Sequence, residues 1–292
     1  MLPVGPLLLL ALVAASRGVP PDRIVSVAAV GDLQLSVAVR NAHDLPGGDP
    51  FAAVVGSLAA DLTVGNLEGP IPAPGAKPML DAHGPNLLQP PDAGDVLRRA
   101  GFDVVSLANN HLLDWGARSA VHTAAEIARA GVTPVGAWED PHDRFQPVIR
   151  EVDGLTVGFL SYTMWLNVHD GRRTVGLGHL FTDDALAEIT ALRPYVDFVV
   201  VLLHWEREND HFTYGLNRYL AHEMVDAGAD VILGHHAHVL KGLERYRGAL
   251  IAYSLGNFVF GSVGGAQAQS AVLRFELAKG GGGPRSVRAV RL

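Results

Sequence analysis

Five short polar clusters carry the side chains best suited to chemistry, and each follows directly on a run of apolar residues. One candidate metal donor comes from each of Asp32, Glu68, Asn110, His204, His236 and His238. Carboxylate, amide and imidazole donors without sulfur suit Mn, Fe, Zn or Ni, and suit Mg less well. Six protein donors are too many for one catalytic metal that keeps an open position. They suit two metals that share a bridging carboxylate.

The composition narrows the kinds of site that are available. The chain has 292 residues, 13 histidines, no cysteine and a net charge of -7. The missing cysteine excludes disulfides, thiolate zinc sites, iron–sulfur clusters and cysteine nucleophiles. The acidic balance argues against a nucleic-acid partner, because such partners are bound mainly through basic residues.

Buried strands and helices must position these clusters. Apolar runs predict strands at residues 24–30, 62–64, 104–108, 198–203 and 230–233, and amphipathic segments predict helices at residues 50–61, 92–100, 117–130, 182–192 and 216–227. Residues 146–151 and 155–160 flank Asp153-Gly154, which predicts a hairpin. Ligand sites in α/β sheets form beyond the carboxyl ends of strands, where all five clusters lie. We therefore expect one α/β domain over residues 23–292, with two packed mixed sheets and a proline-rich loop at residues 70–91 over the site.

The amino terminus is apolar but too short to cross a membrane. The apolar stretch spans at most residues 2–15, whereas a membrane-spanning helix needs about 20 residues. Val13-Ala14-Ala15 fits a signal-peptide cleavage site, although no basic residue precedes the apolar core. Residues 1–22 are therefore predicted to be an export signal, which would place the protein outside the cytoplasm. A disordered or mis-started terminus is the alternative.

The motifs together resemble the CapA family (poly-γ-glutamate capsule synthesis proteins) within the calcineurin-like metallophosphoesterase superfamily. The resemblance extends from Gly31 to Phe260 and depends on the order and spacing of short motifs. These are Gly31-Asp32, Gly65-Asn66-Leu67-Glu68-Gly69-Pro70, Asn109-Asn110-His111, His204-Trp205 with Glu208, Gly234 through His238, and Ser254-Leu255-Gly256-Asn257-Phe258.

The resemblance implies a four-layer α/β/β/α sandwich with two divalent metal ions, Mn, Fe or Zn, at the strand ends. It implies metal ligation by Asp32, Glu68, Asn110, His204, His236 and His238. His111 would be the catalytic acid rather than a ligand. Glu68 would bridge the metals, although Asn66 could be the aligned position instead. Asn66, Glu208 and Asn257 would contact substrate or orient ligands.

Three positions depart from the motifs of the family. Gln34 stands where the superfamily usually has a histidine, so one metal site loses an imidazole. Glu206 stands where the family often has glycine, and we expect its charge near the mouth of the site. Ala237 replaces a frequent proline. His235, between Gly234 and His236, is expected to point away from the metals.

Three functions are compatible with these residues. The first is metal-dependent phosphoester hydrolysis with His111 as general acid. The second is amide chemistry at the same metals on poly-γ-glutamate. The third is a non-catalytic accessory role in a capsule-synthesis complex at the membrane. Neither the substrate nor the metal follows from the sequence.

Overall fold

A computed structural model describes residues 22–36, 39, 49–79, 85–140, 146–168, 176–180, 182–261, 264–280 and 283–292. Residues 1–21 of the predicted export signal lie outside the described residues, and so do residues 80–84 of the predicted proline-rich loop. Within the described part of the chain, no helix is long and apolar enough to cross a membrane.

Fifteen strands and five α-helices are described. The strands are β1 (Arg23–Leu33), β2 (Leu62–Leu67), β3 (Val104–Ser106), β4 (Thr133–Val135), β5 (Ala137–Trp138), β6 (Val148–Val152), β7 (Leu155–Thr163), β8 (Gly176–Leu177), β9 (Phe198–His204), β10 (Val231–His235), β11 (Leu243–Tyr246), β12 (Ala249–Ala252), β13 (Asn257–Val259), β14 (Leu273–Lys279) and β15 (Arg285–Arg291). The helices are α1 (Val55–Leu58), α2 (Ala93–Arg99), α3 (Ala117–Arg129), α4 (Thr182–Leu192) and α5 (Gly215–Ala227).

The strands form two large mixed sheets. The first sheet has the order β15-β14-β1-β2-β3-β4, with β13 also pairing with β1, and the second has the order β11-β12-β10-β9-β7-β6. Strands β1 to β4 run parallel, and so do β7, β9, β10 and β12. Their carboxyl ends therefore share an edge within each sheet. A small third sheet joins β5 and β8.

Three apolar cores separate four layers. Val64 and Phe275 of the first sheet pack with Phe159 and Leu202 of the second in the core between the sheets. A second core packs α2 and α3 on the outer face of the first sheet. A third packs α4 and α5 on the outer face of the second sheet. The predicted α/β/β/α sandwich of two mixed sheets is confirmed.

The apolar runs explain most of these elements. Every residue of β9 is buried, because the strand has parallel neighbours on both sides and other layers on both faces. The predicted hairpin is confirmed as β6 and β7. The helix predicted at residues 50–61 is reduced to α1, four residues long. Strands β11 and β13 were not predicted, because β11 is a half-exposed edge strand and β13 has only three residues.

Candidate metal centre

The predicted site residues meet where the carboxyl ends of the parallel strands of both sheets face each other. The first sheet supplies Asp32 from β1, Glu68 directly after β2, and Asn110 and His111 from the turn after β3. The second supplies His204, the last residue of β9, and the loop after β10 adds His236 and His238. Parallel pairing sets the register, with Asp32 opposite Asn66 and His204 opposite His235.

The carboxylate of Glu68 lies at the centre of this cluster. Its Oε1 is 3.7 Å from Nε2 of His238, 3.9 Å from Nε2 of His111 and 4.0 Å from Nε2 of His204. Both of its oxygens are buried, and neither has a hydrogen-bond partner among the described residues. A buried carboxylate left unpaired in this way is costly. A cation among these donors would compensate it, since ligands about 2.0–2.2 Å from one ion lie 3–4 Å from each other.

Two groups of donors flank Glu68. Asp32 and His238 form one group with Glu68, with ligand atoms within 4.8 Å of one another. In the other group, Nε2 of His204 lies 2.8 Å from Oδ1 of Asn110 and 3.1 Å from Nδ1 of His236. Glu68 lies between the groups, as a bridging carboxylate would. The residues present therefore fit divalent cations, and the number and identity of the ions stay predictions.

Asn66 occupies a different place from Glu68. Its Nδ2 donates to Oδ1 of Asp32 at 2.8 Å and lies 3.2 Å from Nδ1 of His204. Its Oδ1 accepts from Nδ2 of Asn109 at 3.3 Å. The amide is thus engaged in holding Asp32. This geometry favours Glu68 over Asn66 for the bridging position, which the sequence left open.

The electrostatics of the central pair reflect burial and proximity. Burial raises the pKa of Glu68 to about 7; the nearby His238 opposes this shift and Asp32 adds to it. Burial alone lowers the pKa of His238, but attraction to Glu68 and Asp32 outweighs it and raises that pKa to about 9. In the metal-free protein the protonated His238 thus balances the charge of Glu68, and a divalent ion bound here would take the place of that proton.

His236 and His204 are held neutral by their surroundings. Burial lowers the pKa of His236 to about 3, with further lowering by His238 and His111. Burial, together with His236 and other neighbouring histidines, holds the pKa of His204 well below its usual range. Neutral imidazoles are the form that binds metals.

His111 pairs with an acidic residue that the sequence analysis did not select. Its Nδ1 lies 2.6 Å from Oδ2 of Asp114, which also accepts from the backbone N–H of Leu87. Burial lowers the pKa of His111, but Asp114 and Glu68 outweigh it and raise that pKa. The spacing of three residues within one turn was the available signal. Asn167, also not selected, donates its backbone N–H to the carbonyl of Asn110 at 3.1 Å.

Asn257 and Glu208 each lie beside one of the last two histidines. Nδ1 of His238 is 2.8 Å from Oδ1 of Asn257, which leaves Nε2 facing Glu68. Nε2 of His236 is 3.9 Å from Oε1 of Glu208, a half-exposed carboxylate at the rim. Partners of this kind fix the tautomer of a metal-binding histidine. The contact with Asn257 suits an orienting role, whereas Glu208 lies beyond hydrogen-bond distance of His236, and both roles stay predictions.

The backbone of the last motif is strained. His236 and His238 have φ of 82° and 56°, in the left-handed region that side-chain-bearing residues rarely adopt. Nε2 of His238 faces Glu68 at 3.7 Å and Nδ1 of His236 faces Nε2 of His204 at 3.1 Å, while Ala237 between the two residues is buried. Such strain concentrates at functional sites.

The residues that depart from the family pattern are placed as follows. The Gln34 amide is committed elsewhere, with Nε2 donating to the carbonyl of Leu88 at 2.9 Å and Oε1 accepting from Ser36 at 3.0 Å. The charge of Glu206, which was expected near the mouth of the site, is buried and paired, with its Oε2 2.9 Å from Nζ of Lys241. His235 faces the carbonyl of Val30 at 3.3 Å, and burial lowers its pKa.

Comparison with known proteins identifies the family. The profile described as "Bacterial capsule synthesis protein PGA_cap" matches residues 26–262. The chain belongs to this family. The PGA biosynthesis protein CapA of Bacillus subtilis (strain 168) is 32% identical over 267 residues, which cover 90% of this chain and 70% of that protein. The capsule biosynthesis protein CapA of Bacillus anthracis is 35% identical over 191 residues, which cover 63% of this chain and 46% of that protein.

The fold is the α/β fold of the calcineurin-like phosphoesterases. Among solved structures, the Thermus thermophilus sulfate thiohydrolase SoxB in complex with glycerol superposes with a TM-score of 0.51. It is 10% identical, and the match covers 91% of this chain and 55% of that one. At this identity the likeness shows the fold alone. The resemblance to the CapA family stated from the motifs is confirmed, and the protein is a capsule synthesis protein with a phosphoesterase-like fold.

Proposed function

We propose that this protein is a hydrolase of the calcineurin-like phosphoesterase type that requires divalent metal ions and works in poly-γ-glutamate capsule synthesis. The buried, unpaired carboxylate of Glu68, among three histidine nitrogens at 3.7–4.0 Å, carries the proposal. Asp32 and His238 would hold one ion with Glu68. Asn110, His204 and His236 would hold a second, and Mn, Fe or Zn suits this donor set.

The chain's own residues would handle the proton of the reaction. Divalent cations bound here would supply Lewis acidity toward the substrate's oxygens and activate water for attack. Asp114, 2.6 Å from Nδ1 of His111, would accept the Nδ1–H, so the Nε2–H of the protonated ring, 3.4 Å from Nδ2 of Asn167, would donate to the leaving oxygen. The raised pKa keeps His111 protonated closer to neutral pH. General acid catalysis of this kind contributes roughly 10²–10⁴-fold in rate.

A second candidate follows from the names of the relatives. Both Bacillus proteins are named for biosynthesis, not for hydrolysis of an ester. The same metal centre would then act on amide bonds of poly-γ-glutamate, or the protein would serve a capsule-synthesis complex at the membrane without catalysis. A fold does not by itself decide between these chemistries.

Elemental analysis followed by a substrate screen tests the proposal. Protein purified without chelator should contain Mn, Fe or Zn and should cleave aryl phosphodiesters or monoesters when Mn²⁺ is added. The His111→Ala variant should keep its metal and lose activity. Cleavage of γ-glutamyl polymer alone would favour amide chemistry. Metal content below about a tenth of an equivalent, with no uptake on soaking, would favour the non-catalytic role.

The proposal includes a place outside the cytoplasm, which the apolar run within residues 1–22 supports. A fusion of these residues to a reporter that is active only after export should be active. A fusion that stays uncleaved and inactive in the cytoplasm would contradict this part and leave the hydrolase proposal intact.

A further inference from the structure

A buried ion pair links the loop that follows His204 to the segment that follows His236 and His238. Nζ of Lys241 lies 2.9 Å from Oε2 of Glu206, and both side chains are fully buried. Glu206 comes two residues after His204 and Lys241 three residues after His238. The pair therefore connects the loop after β9 to the segment after β10.

The same lysine closes the first of these loops. Its Nζ also donates to the backbone carbonyl of Phe212 at 2.9 Å. Two backbone hydrogen bonds run alongside it, from the N–H of Trp205 to His235 at 3.3 Å and from the N–H of Asn209 to Ala237 at 2.9 Å. Among these contacts, the two made by the Lys241 side chain, to Glu206 and to the carbonyl of Phe212, can be removed by substitution.

The pair is a poor source of net stability. Removing two ions from water offsets most of their mutual attraction in the protein interior. Glu206 also adopts a φ of 74°, which is unfavourable for any residue with a side chain, and its Oε1 has no partner among the described residues. What the pair does supply is a fixed separation between the two loops.

We propose that Glu206 and Lys241 are positioning residues that set the distance between His204 and His236. The Nε2 and Nδ1 atoms of these rings lie 3.1 Å apart, close enough to share one ion. His204 ends β9 directly before the first loop, and His236 lies in the second, so the pair joins the segments beside both rings. This inference rests on the metal centre of the proposed function but not on its reaction.

Mn²⁺ titration of the metal-free, full-length protein tests it, together with thermal unfolding. Lys241→Met alone leaves Glu206 buried and unpaired, and should lower Tm by roughly 10 °C. The double variant E206G/K241M should recover most of that loss, because both charges leave together and glycine accepts the φ at position 206. Its Mn²⁺ affinity should nevertheless stay about tenfold weaker than that of the wild type, as is typical when support of a metal ligand is lost.

Two further variants separate the causes. E206Q/K241M keeps a side chain at position 206, so the same weakening there would exclude glycine flexibility as its source. Arg247→Met removes the exposed pair with Asp226, at 2.8 Å, and should change neither Tm nor Mn²⁺ affinity.

Wild-type Mn²⁺ affinity in both double variants would overturn the positioning role. So would a K241M protein as stable as the wild type, because the pair would then not be buried as described. Wild-type protein that takes up no Mn²⁺ would refute the metal centre and this inference together. Mn²⁺ uptake without hydrolysis would refute the proposed reaction and leave the positioning role intact.

Discussion

Replacing Glu68 with glutamine should stabilise the metal-free protein while removing its response to metal. A rise in the pKa of Glu68 from 4.5 to about 7 means that the ionised carboxylate costs the fold about 3 kcal/mol at pH 8. His238 lessens this cost, and its attraction is already part of the shift to about 7, so no further offset applies. The Glu68→Gln variant should therefore gain about 3 kcal/mol, or roughly 8 °C in Tm.

The sign of the pH dependence follows from the same shift. Below pH 4.5 Glu68 is protonated in the folded and unfolded chains alike, so its carboxylate costs nothing there. The cost develops as the pH rises from 4.5 to about 7 and is complete above that. The advantage of Glu68→Gln should therefore shrink as the pH is lowered from 8 to 5.

Thermal unfolding at pH 8 with and without Mn²⁺ provides the assay. A concentration of Mn²⁺ about 1,000-fold above Kd should stabilise the wild type by about 4.1 kcal/mol, and the variant by much less, so that the order of stability reverses. Glu139→Gln, at an exposed carboxylate, is the matched control and should behave as the wild type does. A metal-free Glu68→Gln protein less stable than the wild type, or one stabilised equally by Mn²⁺, would refute the reasoning.

Three further predictions concern the rest of the centre. Asp114→Asn should lower kcat by about 10²-fold or more with Mn²⁺ affinity unchanged, because the carboxylate orients His111; unchanged kcat in steady-state assays would count against the pair. Asn257→Ala should weaken Mn²⁺ binding about tenfold by freeing the His238 ring, and wild-type affinity by calorimetry would contradict this. Gln34→His should tighten the weaker of the proposed Mn²⁺ sites, since it restores the imidazole that the superfamily usually has two positions after Asp32. Two unchanged affinities in a titration would show that the missing imidazole does not weaken binding.

Much of the site was predictable because ligand sites in α/β sheets form beyond the carboxyl ends of strands. His204 ends a continuous apolar run, and Asp32, Glu68 and His236 also lie at or just past the ends of such runs. Parallel pairing brings the donors of each sheet to one edge, and the packing of the two sheets brings the two sets together. The layers followed from the alternation of helices and apolar strands in the middle of the chain. Neither prediction required the conformations of the connecting loops.

Residues that act through loop conformation were beyond such rules. Glu206 and Lys241 are 35 positions apart on different loops, and each alone looks like a solvated charge. Their pairing depends on the left-handed turn at Glu206, which no local pattern predicts. Asn167 comes from the loop after β7 and meets Asn110 only once both sheets are packed.

The centre lies on the seam between the two sheets. Asp32, Glu68 and Asn110 arrive on one sheet, and His204 and His236 on the other. Neither sheet alone brings all of these donors together, so the proposed site would be complete only once the two sheets have packed together. A bound ion would then connect the two sheets, and metal uptake during refolding would report when the sheets pack together.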